Sequence, residues 1–253
     1  MPSEQPPRIV MLDAARWSAD GSPALLEQLR TAAAVAVRHA VDESTCRGWV
    51  QRILEARNDW IADFGGEQFA LGRAFYTHYE TGRADVYFRD AERSNALVER
   101  VLPGMQDQIR NLFARMVGGN ARLRRGFCGP GVHVFPAREN VAKRGGVVHY
   151  DVEGLSPLHV QRRAPAMSLV VMLQPAQWGG GLRLWNALWH GADEPDDEEI
   201  QGSHITHRYT VGEALLMESH RLHQIRPFRG MLDRISITVH SVEVDRGQWD
   251  TWF

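Results

Sequence analysis

Two residues that could share a metal ion, His149 and Asp151, lie at the end of a short apolar run. The run, GGVVHYD, is typical of a β-strand. Successive side chains of a strand point to opposite faces, so we expect His149 and Asp151 on one face and Tyr150 on the other. An imidazole and a carboxylate on one face could bind the same ion, but a His-x-Asp triplet is frequent by chance and indicates a metal site only with a third ligand.

A third ligand is available in the segment GEALLMESHRLHQIRPF, where His223 lies in a predicted strand. Two histidines and one carboxylate on one side of a metal leave three coordination positions open, which is the arrangement that oxygen-activating iron(II) sites need. His220 is the alternative ligand, but it falls in the turn SHRLH before that strand. The sequence therefore favours His149, Asp151 and His223 as metal ligands.

The next predicted strand places a cation and two hydroxyl groups on one face, because Arg234, Ser236 and Thr238 alternate with isoleucines. Burying these groups is costly unless an anion meets them. Arginine can bind one carboxylate through two parallel hydrogen bonds, and Ser236 can add a third, so a dicarboxylate ligand would explain the pattern. The alternative is that Arg234 pairs with a carboxylate of the protein itself on an outer face.

Taken together, these residues resemble the 2-oxoglutarate/iron(II) dioxygenase superfamily, and most closely its prolyl-4-hydroxylase-like branch. The family pattern is His-x-Asp, a distal histidine, and an arginine or lysine a little further on. The step Leu222-His223, followed by Pro227, also resembles the family pattern and supports His223 over His220. Two further stretches are similar to the family core and its N-terminal strand and helix: SLVVMLQPAQWGGGLRLW and VRHAVDESTCRGWVQRIL.

The resemblance implies an enzyme that binds iron(II) through His149, Asp151 and His223 and binds 2-oxoglutarate through Arg234 and Ser236. It implies that dioxygen is consumed and that 2-oxoglutarate is decarboxylated to succinate while a substrate is hydroxylated. The aspartate distinguishes the chain from the halogenases of the superfamily, in which a small residue replaces the carboxylate.

A small-molecule substrate, such as a free amino acid or a natural-product intermediate, is expected, because no peptide-binding appendage is evident. A peptidyl hydroxylase of the prolyl type is the alternative. A jelly-roll hydrolase that uses a divalent metal is disfavoured, because hydrolysis needs no clamp for a dicarboxylate. A non-catalytic binding module is disfavoured by the intact ligand set.

Four residues are candidates for contact with the substrate. His133 precedes the metal ligands on a predicted strand, and Thr238 shares the face of Arg234. Tyr76 and Tyr79, in the segment FYTHYE, could form a lid over the site. The alternatives are a packed or surface histidine and ordinary aromatic packing in a core strand.

The elements that must position these residues are mainly β-strands preceded by helices. We expect an extended lead-in over 1–21, a helical elaboration with an aromatic segment over 22–119, and a double-stranded β-helix, or jelly roll, over 120–253, all in one structural domain. Asp42 is a predicted N-cap for the helix that follows it. A second helix is predicted over 94–117, kinked or divided by Pro103, and a strand and loop over 70–88.

Composition excludes several other classes of protein. The formal net charge is -2, which gives no electrostatic reason to expect nucleic acid or an anionic membrane as a partner. The two cysteines form no disulfide framework, and the first residues show no secretory pattern, so a cytoplasmic protein is expected. The pattern contains no indication of the oligomeric state.

Overall fold

The fold is known from a computed structural model that describes residues 6–19, 25–192 and 194–253. The helices are α1 (Ala14–Ala19), α2 (Leu26–Leu29), α3 (Glu43–Glu55), α4 (Phe75–Glu80), α5 (Ala84–Val101), α6 (Met105–Val117), α7 (Asn140–Arg144), α8 (Pro157–Arg162) and α9 (Asp197–Gln201). The strands are β1 (Ile9–Asp13), β2 (Ala34–Arg38), β3 (Ile61–Asp63), β4 (Gln68–Leu71), β5 (Asn120–Leu123), β6 (Gly131–Phe135), β7 (Ala166–Gln174), β8 (Trp178–Gly179), β9 (Leu182–Leu188), β10 (His204–His207), β11 (Ala214–Glu218), β12 (Arg221–Ile225), β13 (Phe228–Arg229), β14 (Arg234–Asp245) and β15 (Gln248–Trp252).

Two sheets of very different size face each other. The large mixed sheet has the order β1-β2-β11-β7-β14-β6-β4-β3, with β15 beside β14 and β5 beside β15. The small sheet has the order β10-β9-β12 and packs on the large one through apolar side chains of both, including Met172, Leu184 and Leu215. This arrangement confirms the predicted class, a mainly β jelly roll with helices.

Strand β14 shows how the sequence builds the two faces of the large sheet. Ile235, Ile237 and Val239 are fully buried in the core cluster that also contains the apolar faces of α3 and α6. Each such side chain contributes roughly 1.5–3 kcal/mol when it is buried. The alternate residues of the strand, beginning with Arg234 and Ser236, therefore project to the opposite face, toward the interior of the jelly roll.

The helical layer agrees with the main predictions for the N-terminal segment. Asp42 caps α3 by accepting a hydrogen bond from the backbone amide of Thr45 at 2.8 Å. The predicted helix around Pro103 is divided, because α5 ends at Val101 and α6 begins at Met105. None of the described helices is both long enough and apolar enough to cross a membrane.

Two local predictions were wrong. Residues 146–150 form no strand and make a single β-bridge, between His149 and His223. The aromatic segment 70–88 is mainly helical, since β4 ends at Leu71 and α4 and α5 follow. The β-propensity of aromatic residues depends strongly on their surroundings, so it does not determine the structure of this segment.

The N-terminal part also contributes more strands than expected. Strand β1 lies in the lead-in and pairs in parallel with β2, while β3 and β4 extend the far edge of the large sheet. The large sheet therefore draws strands from all three predicted segments. The division at 1–21, 22–119 and 120–253 remains a prediction, and its first boundary lies outside the described residues.

Candidate metal and anion site

The candidate metal ligands lie where the loop after α7 meets β12. The backbone amide of His149 donates to the carbonyl of His223 at 3.1 Å, and the amide of His223 donates back to the carbonyl of His149 at 3.0 Å. The amide of Asp151 donates to the carbonyl of Ser219 at 2.8 Å. These three bonds fix the loop against the small sheet, so the ligands are positioned as they would be on a strand.

The ligand atoms of His149, Asp151 and His223 all lie within 4.8 Å of one another, as a shared metal ion requires. Asp151 Oδ1 is 3.4 Å from Nε2 of His149 and 3.5 Å from Nε2 of His223. Each Nδ1 lies close to a backbone carbonyl, that of Val147 at 2.8 Å for His149 and that of Arg221 at 2.9 Å for His223. A carbonyl can only accept, so each Nδ1 carries a proton, and Nε2 is the nitrogen that each ring can offer to a metal at the centre.

The charges around this centre also favour a cation. Burial favours the neutral form of Asp151, but the neighbouring imidazoles, chiefly those of His223 and His240, hold its pKa well below the usual range. Burial lowers the pKa of His149, and the adjacent Asp151 carboxylate outweighs this and raises it to about 9. At neutral pH His149 therefore keeps a proton on both nitrogens, and a metal ion would displace the one on Nε2; the ionised carboxylate and the two imidazoles then form a donor set suited to a divalent transition metal.

The alternative ligand, His220, does not belong to this group. Its ring lies 5.8 Å from the ring of Trp189, and burial lowers its pKa. His223 completes the group in the described part of the chain, as the sequence predicts.

Arg234 is a buried cation, only 2% exposed, and within the described ranges it forms no ion pair. Its Nε donates to the carbonyl of Gly180 at 3.2 Å and its Nη1 donates to Oγ of Ser236 at 3.3 Å. The guanidinium carbon lies 5.3 Å from the ring centre of Phe135 and 5.6 Å from that of Tyr209. Burial disfavours the charged form of Arg234 and lowers its pKa, so a bound anion would stabilise the buried guanidinium.

The candidate metal ligands and Arg234 open into one cavity of about 370 Å³. Three of the predicted substrate residues, His133, Tyr76 and Thr238, line it. Tyr79 does not, because its side chain is 61% exposed and stacks on Phe75 with ring centres 5.8 Å apart. The segment is a helix, in which positions four residues apart share a face, so Tyr79 stacks on Phe75 while Glu80 lies beside Tyr76 on the cavity.

The residues near the cavity that were not predicted include His240, Gln68 and Tyr209, besides Glu80. His240 is buried, lines the cavity, and has its Nδ1 3.7 Å from Oδ2 of Asp151. The sequence could have indicated His240, because this residue continues the alternation of Arg234, Ser236 and Thr238 along one strand. Gln68 and Tyr209 gave no comparable signal, since their places follow from contacts between segments distant in sequence.

The chain has the jelly-roll fold found in the 2-oxoglutarate- and iron-dependent oxygenases. The resemblance expected from the sequence is thus confirmed at the level of the fold. No protein-family model matches the sequence, and no curated protein is significantly similar to it.

Three of the solved structures that it resembles are two structures of one epimerase and one of a prolyl hydroxylase. The epimerase SnoN, in complex with Fe³⁺, alpha-ketoglutarate and nogalamycin RO, has a TM-score of 0.57 at 16% identity over 85% of this chain and 82% of that one. Another structure of SnoN, the non-haem alpha-ketoglutarate-dependent epimerase from nogalamycin biosynthesis, has a TM-score of 0.55 at 16% identity over 84% and 80%. A prolyl hydroxylase from Trichoplax adhaerens, in complex with a peptide of the hypoxia inducible factor oxygen degradation domain, has a TM-score of 0.51 at 13% identity over 88% and 90%.

Proposed function

We propose that the protein is an iron(II)- and 2-oxoglutarate-dependent oxygenase that hydroxylates a small molecule while 2-oxoglutarate is decarboxylated to succinate. The observation that carries this proposal is the juxtaposition of two features in one cavity. One is a set of two imidazoles and one carboxylate on one side of a common centre, and the other is a buried arginine without an anionic partner among the described residues.

The donor set fits iron(II). His149, Asp151 and His223 supply two nitrogens and one oxygen, which leaves room for a bidentate co-substrate and for dioxygen. The backbone carbonyls that accept from both Nδ1 atoms hold the rings in the tautomer that a metal requires. Iron would supply the chemistry that activates dioxygen, the oxidant of both the substrate and 2-oxoglutarate.

The anion site fits the far carboxylate of 2-oxoglutarate. The Gly180 carbonyl and Ser236 Oγ hold the guanidinium of Arg234 in place before a ligand arrives. Arg234 would then donate to the carboxylate, and the Ser236 hydroxyl would add one more hydrogen bond. A hydrolase would have no use for this arrangement, which disfavours the metal-hydrolase alternative.

Part of the cavity wall is apolar. Val170, Leu182, Met217 and Ile225 line the cavity beside the ligands. Such walls exclude water and strengthen the electrostatic interactions of the bound groups. They would also keep a reactive centre from being quenched by solvent.

The size of the cavity supports a small molecule as the substrate. Ligand pockets commonly span about 300–1,000 Å³, and this cavity of about 370 Å³ would hold the co-substrate as well. The SnoN structure is described with nogalamycin RO and the prolyl hydroxylase with a peptide, so a peptidyl substrate remains the alternative. Assays with free amino acids and amines against matched peptides would separate the two.

The decisive experiment is an anaerobic titration of the metal-free protein with iron(II) and then with 2-oxoglutarate, followed by visible absorbance. A metal-to-ligand charge-transfer band is expected in the wild type and in Arg162→Leu, a control on the exposed surface of α8, and at much higher 2-oxoglutarate concentrations in Arg234→Leu. Absence of the band, together with tight retention of zinc, would overturn the proposal in favour of a hydrolase.

A further inference from the structure

The two oxygens of the Asp151 carboxylate have different neighbours. Oδ1 meets both candidate ligand imidazoles, at 3.4 Å from Nε2 of His149 and 3.5 Å from Nε2 of His223. Oδ2 lies 3.7 Å from Nδ1 of His240, which is its only ion-pair partner in the part of the chain that the structure describes. One oxygen is therefore directed to the candidate metal centre, and the other is next to a third histidine.

His240 is held in place by two buried hydroxyl groups. Its Nδ1 lies 3.3 Å from Oγ of Ser168, and Ser168 Oγ lies 2.9 Å from Oγ of Ser219. His240 and Ser168 are paired residues on the neighbouring strands β14 and β7. His240 is 8% exposed, and the two serines are buried completely or almost so. The position of the His240 ring is thus determined by the pairing of two long core strands.

The same group of residues holds the backbone of Asp151, which lies on a loop. The amide of Asp151 donates to the carbonyl of Ser219 at 2.8 Å, and the amide of Ser219 donates to the carbonyl of Ala166 at 2.9 Å. Ala166 is the first residue of β7, the strand that also contains Ser168. The backbone and the side chain of Asp151 are therefore both referred to the large sheet, through Ser219 and through His240.

The direction of the contact between His240 and Asp151 follows from the chemistry of the two groups. An ionised carboxylate can only accept a proton, so the Nδ1 that faces Oδ2 carries the proton. The hydroxyl of Ser168 then donates to Ser219 and not to the ring. His240 is thus a donor directed at the carboxylate oxygen that the ligand imidazoles do not meet.

This donor matters because a carboxylate can bind a metal ion through one oxygen or through both. The terminal torsion of an aspartate is only loosely restrained by its own geometry. Without a partner for Oδ2, the second oxygen could turn to the metal and fill one of the three coordination positions that the ligand set leaves open.

We propose that His240 is a positioning residue, which holds Oδ2 of Asp151 so that the carboxylate binds the metal through Oδ1 alone. Two of the open positions then remain for a bidentate co-substrate and one for dioxygen. The inference rests on the proposed function for the use of these positions, whereas the hold on Asp151 concerns metal binding alone.

Three variants test the inference by anaerobic calorimetry of the metal-free full chain with iron(II). His240→Leu removes the donor and should weaken iron binding by about 10- to 100-fold, the usual effect of losing a group that orients a metal ligand. His240→Asn keeps an N–H donor near the place of Nδ1 and should restore most of the affinity. His220→Leu removes a neighbouring histidine that does not line the cavity, and it should bind iron like wild type.

The charge-transfer band of the complex with iron and 2-oxoglutarate gives a readout that a purely structural role would not change. With both ligands at saturation, the band of His240→Leu should shift or weaken, because Oδ2 competes with the co-substrate for a coordination position. The band of His240→Asn should resemble that of wild type. Denaturant unfolding of the same metal-free samples shows whether each variant is folded.

Ser168→Ala is a second variant, needed if His240→Leu does not fold. It removes the hydroxyl that contacts Nδ1 and leaves the histidine in place, so iron binding should weaken in the same direction by a smaller factor. Wild-type iron affinity in folded His240→Leu, or in Ser168→Ala where His240→Leu does not fold, would overturn the inference. Equal losses in His240→Asn and His240→Leu would also overturn it, because the donor would then have no role.

Cobalt(II) as a second probe separates the inference from the proposed function. If wild type binds iron(II) and cobalt(II) but not 2-oxoglutarate, and His240→Leu loses affinity for both ions, the positioning role is supported and the oxygenase is refuted. If wild type binds iron(II) and 2-oxoglutarate and His240→Leu does the same with equal affinity, the positioning role alone is refuted. A wild type that binds neither ion would refute both.

Discussion

Replacing Arg234 with leucine should separate binding from stability. The guanidinium makes two long hydrogen bonds, to Gly180 and Ser236, and no ion pair with a described residue. Their loss would cost about 0.5–1.5 kcal/mol each, while removal of a buried charge would recover a desolvation cost of several kcal/mol, on the order expected for one ion. The free energy of unfolding of the ligand-free protein should therefore stay within about 1 kcal/mol of wild type, or rise.

Binding of 2-oxoglutarate should respond in the opposite direction. Hydrogen bonds to a charged group contribute about 1.5–3 kcal/mol, so the dissociation constant of 2-oxoglutarate should increase by roughly 10- to 150-fold. Affinity for iron(II) should not change, because Arg234 is not among the metal ligands. The dissociation constant of Arg234→Lys for 2-oxoglutarate should lie between those of wild type and Arg234→Leu, because lysine keeps the positive charge but loses the paired donors of the guanidinium.

Two measurements on the same samples check this. Denaturant unfolding of the ligand-free protein gives the stability, and anaerobic calorimetry of the iron-loaded protein gives the dissociation constant of 2-oxoglutarate. A variant that lost several kcal/mol of stability and still bound 2-oxoglutarate like wild type would show that Arg234 is a structural residue, and the reasoning about its missing anion would be refuted.

Four other substitutions test the site and the core. Asp151→Ala should abolish retention of iron(II), measured as metal content after dialysis, and full retention would refute the ligand assignment. Neither oxygen of Asp63 accepts a hydrogen bond from a described residue, and burial raises the pKa of Asp63 from 3.8 to about 6. The free energy of unfolding should therefore be highest below pH 3.8 and should fall by about 2–3 kcal/mol as the pH rises through about 6. Asp63→Asn should remove this fall, measured by denaturant unfolding between about pH 4 and pH 8. Gly131→Ala would place a methyl group against the ring of Phe253 and should lower the free energy of unfolding by about 1–3 kcal/mol or more. Gly48→Ala in α3 has open space around it and should raise the free energy of unfolding by roughly 0.5–1 kcal/mol in the same assay. Equal effects of the two substitutions would contradict the close packing of Gly131 against Phe253.

The parts of the site that the sequence could predict lie on single strands. Period-two alternation in β14 places Arg234, Ser236 and Thr238 on one face, and the structure places all three on the cavity. His223 could be chosen over His220 because one lies in a strand and the other in a turn. Each of these predictions needs only local backbone geometry, which the residue pattern determines.

The parts that could not be predicted depend on contacts between distant segments. His149 lies on a loop, and its orientation comes from the bridge to His223, which no local pattern encodes. Tyr79 was assigned to the site from residue type, but the helix that contains it places Glu80 on the cavity instead. Strands β2 and β4 join the sheet because their edges meet β11 and β6, which are far away in the sequence.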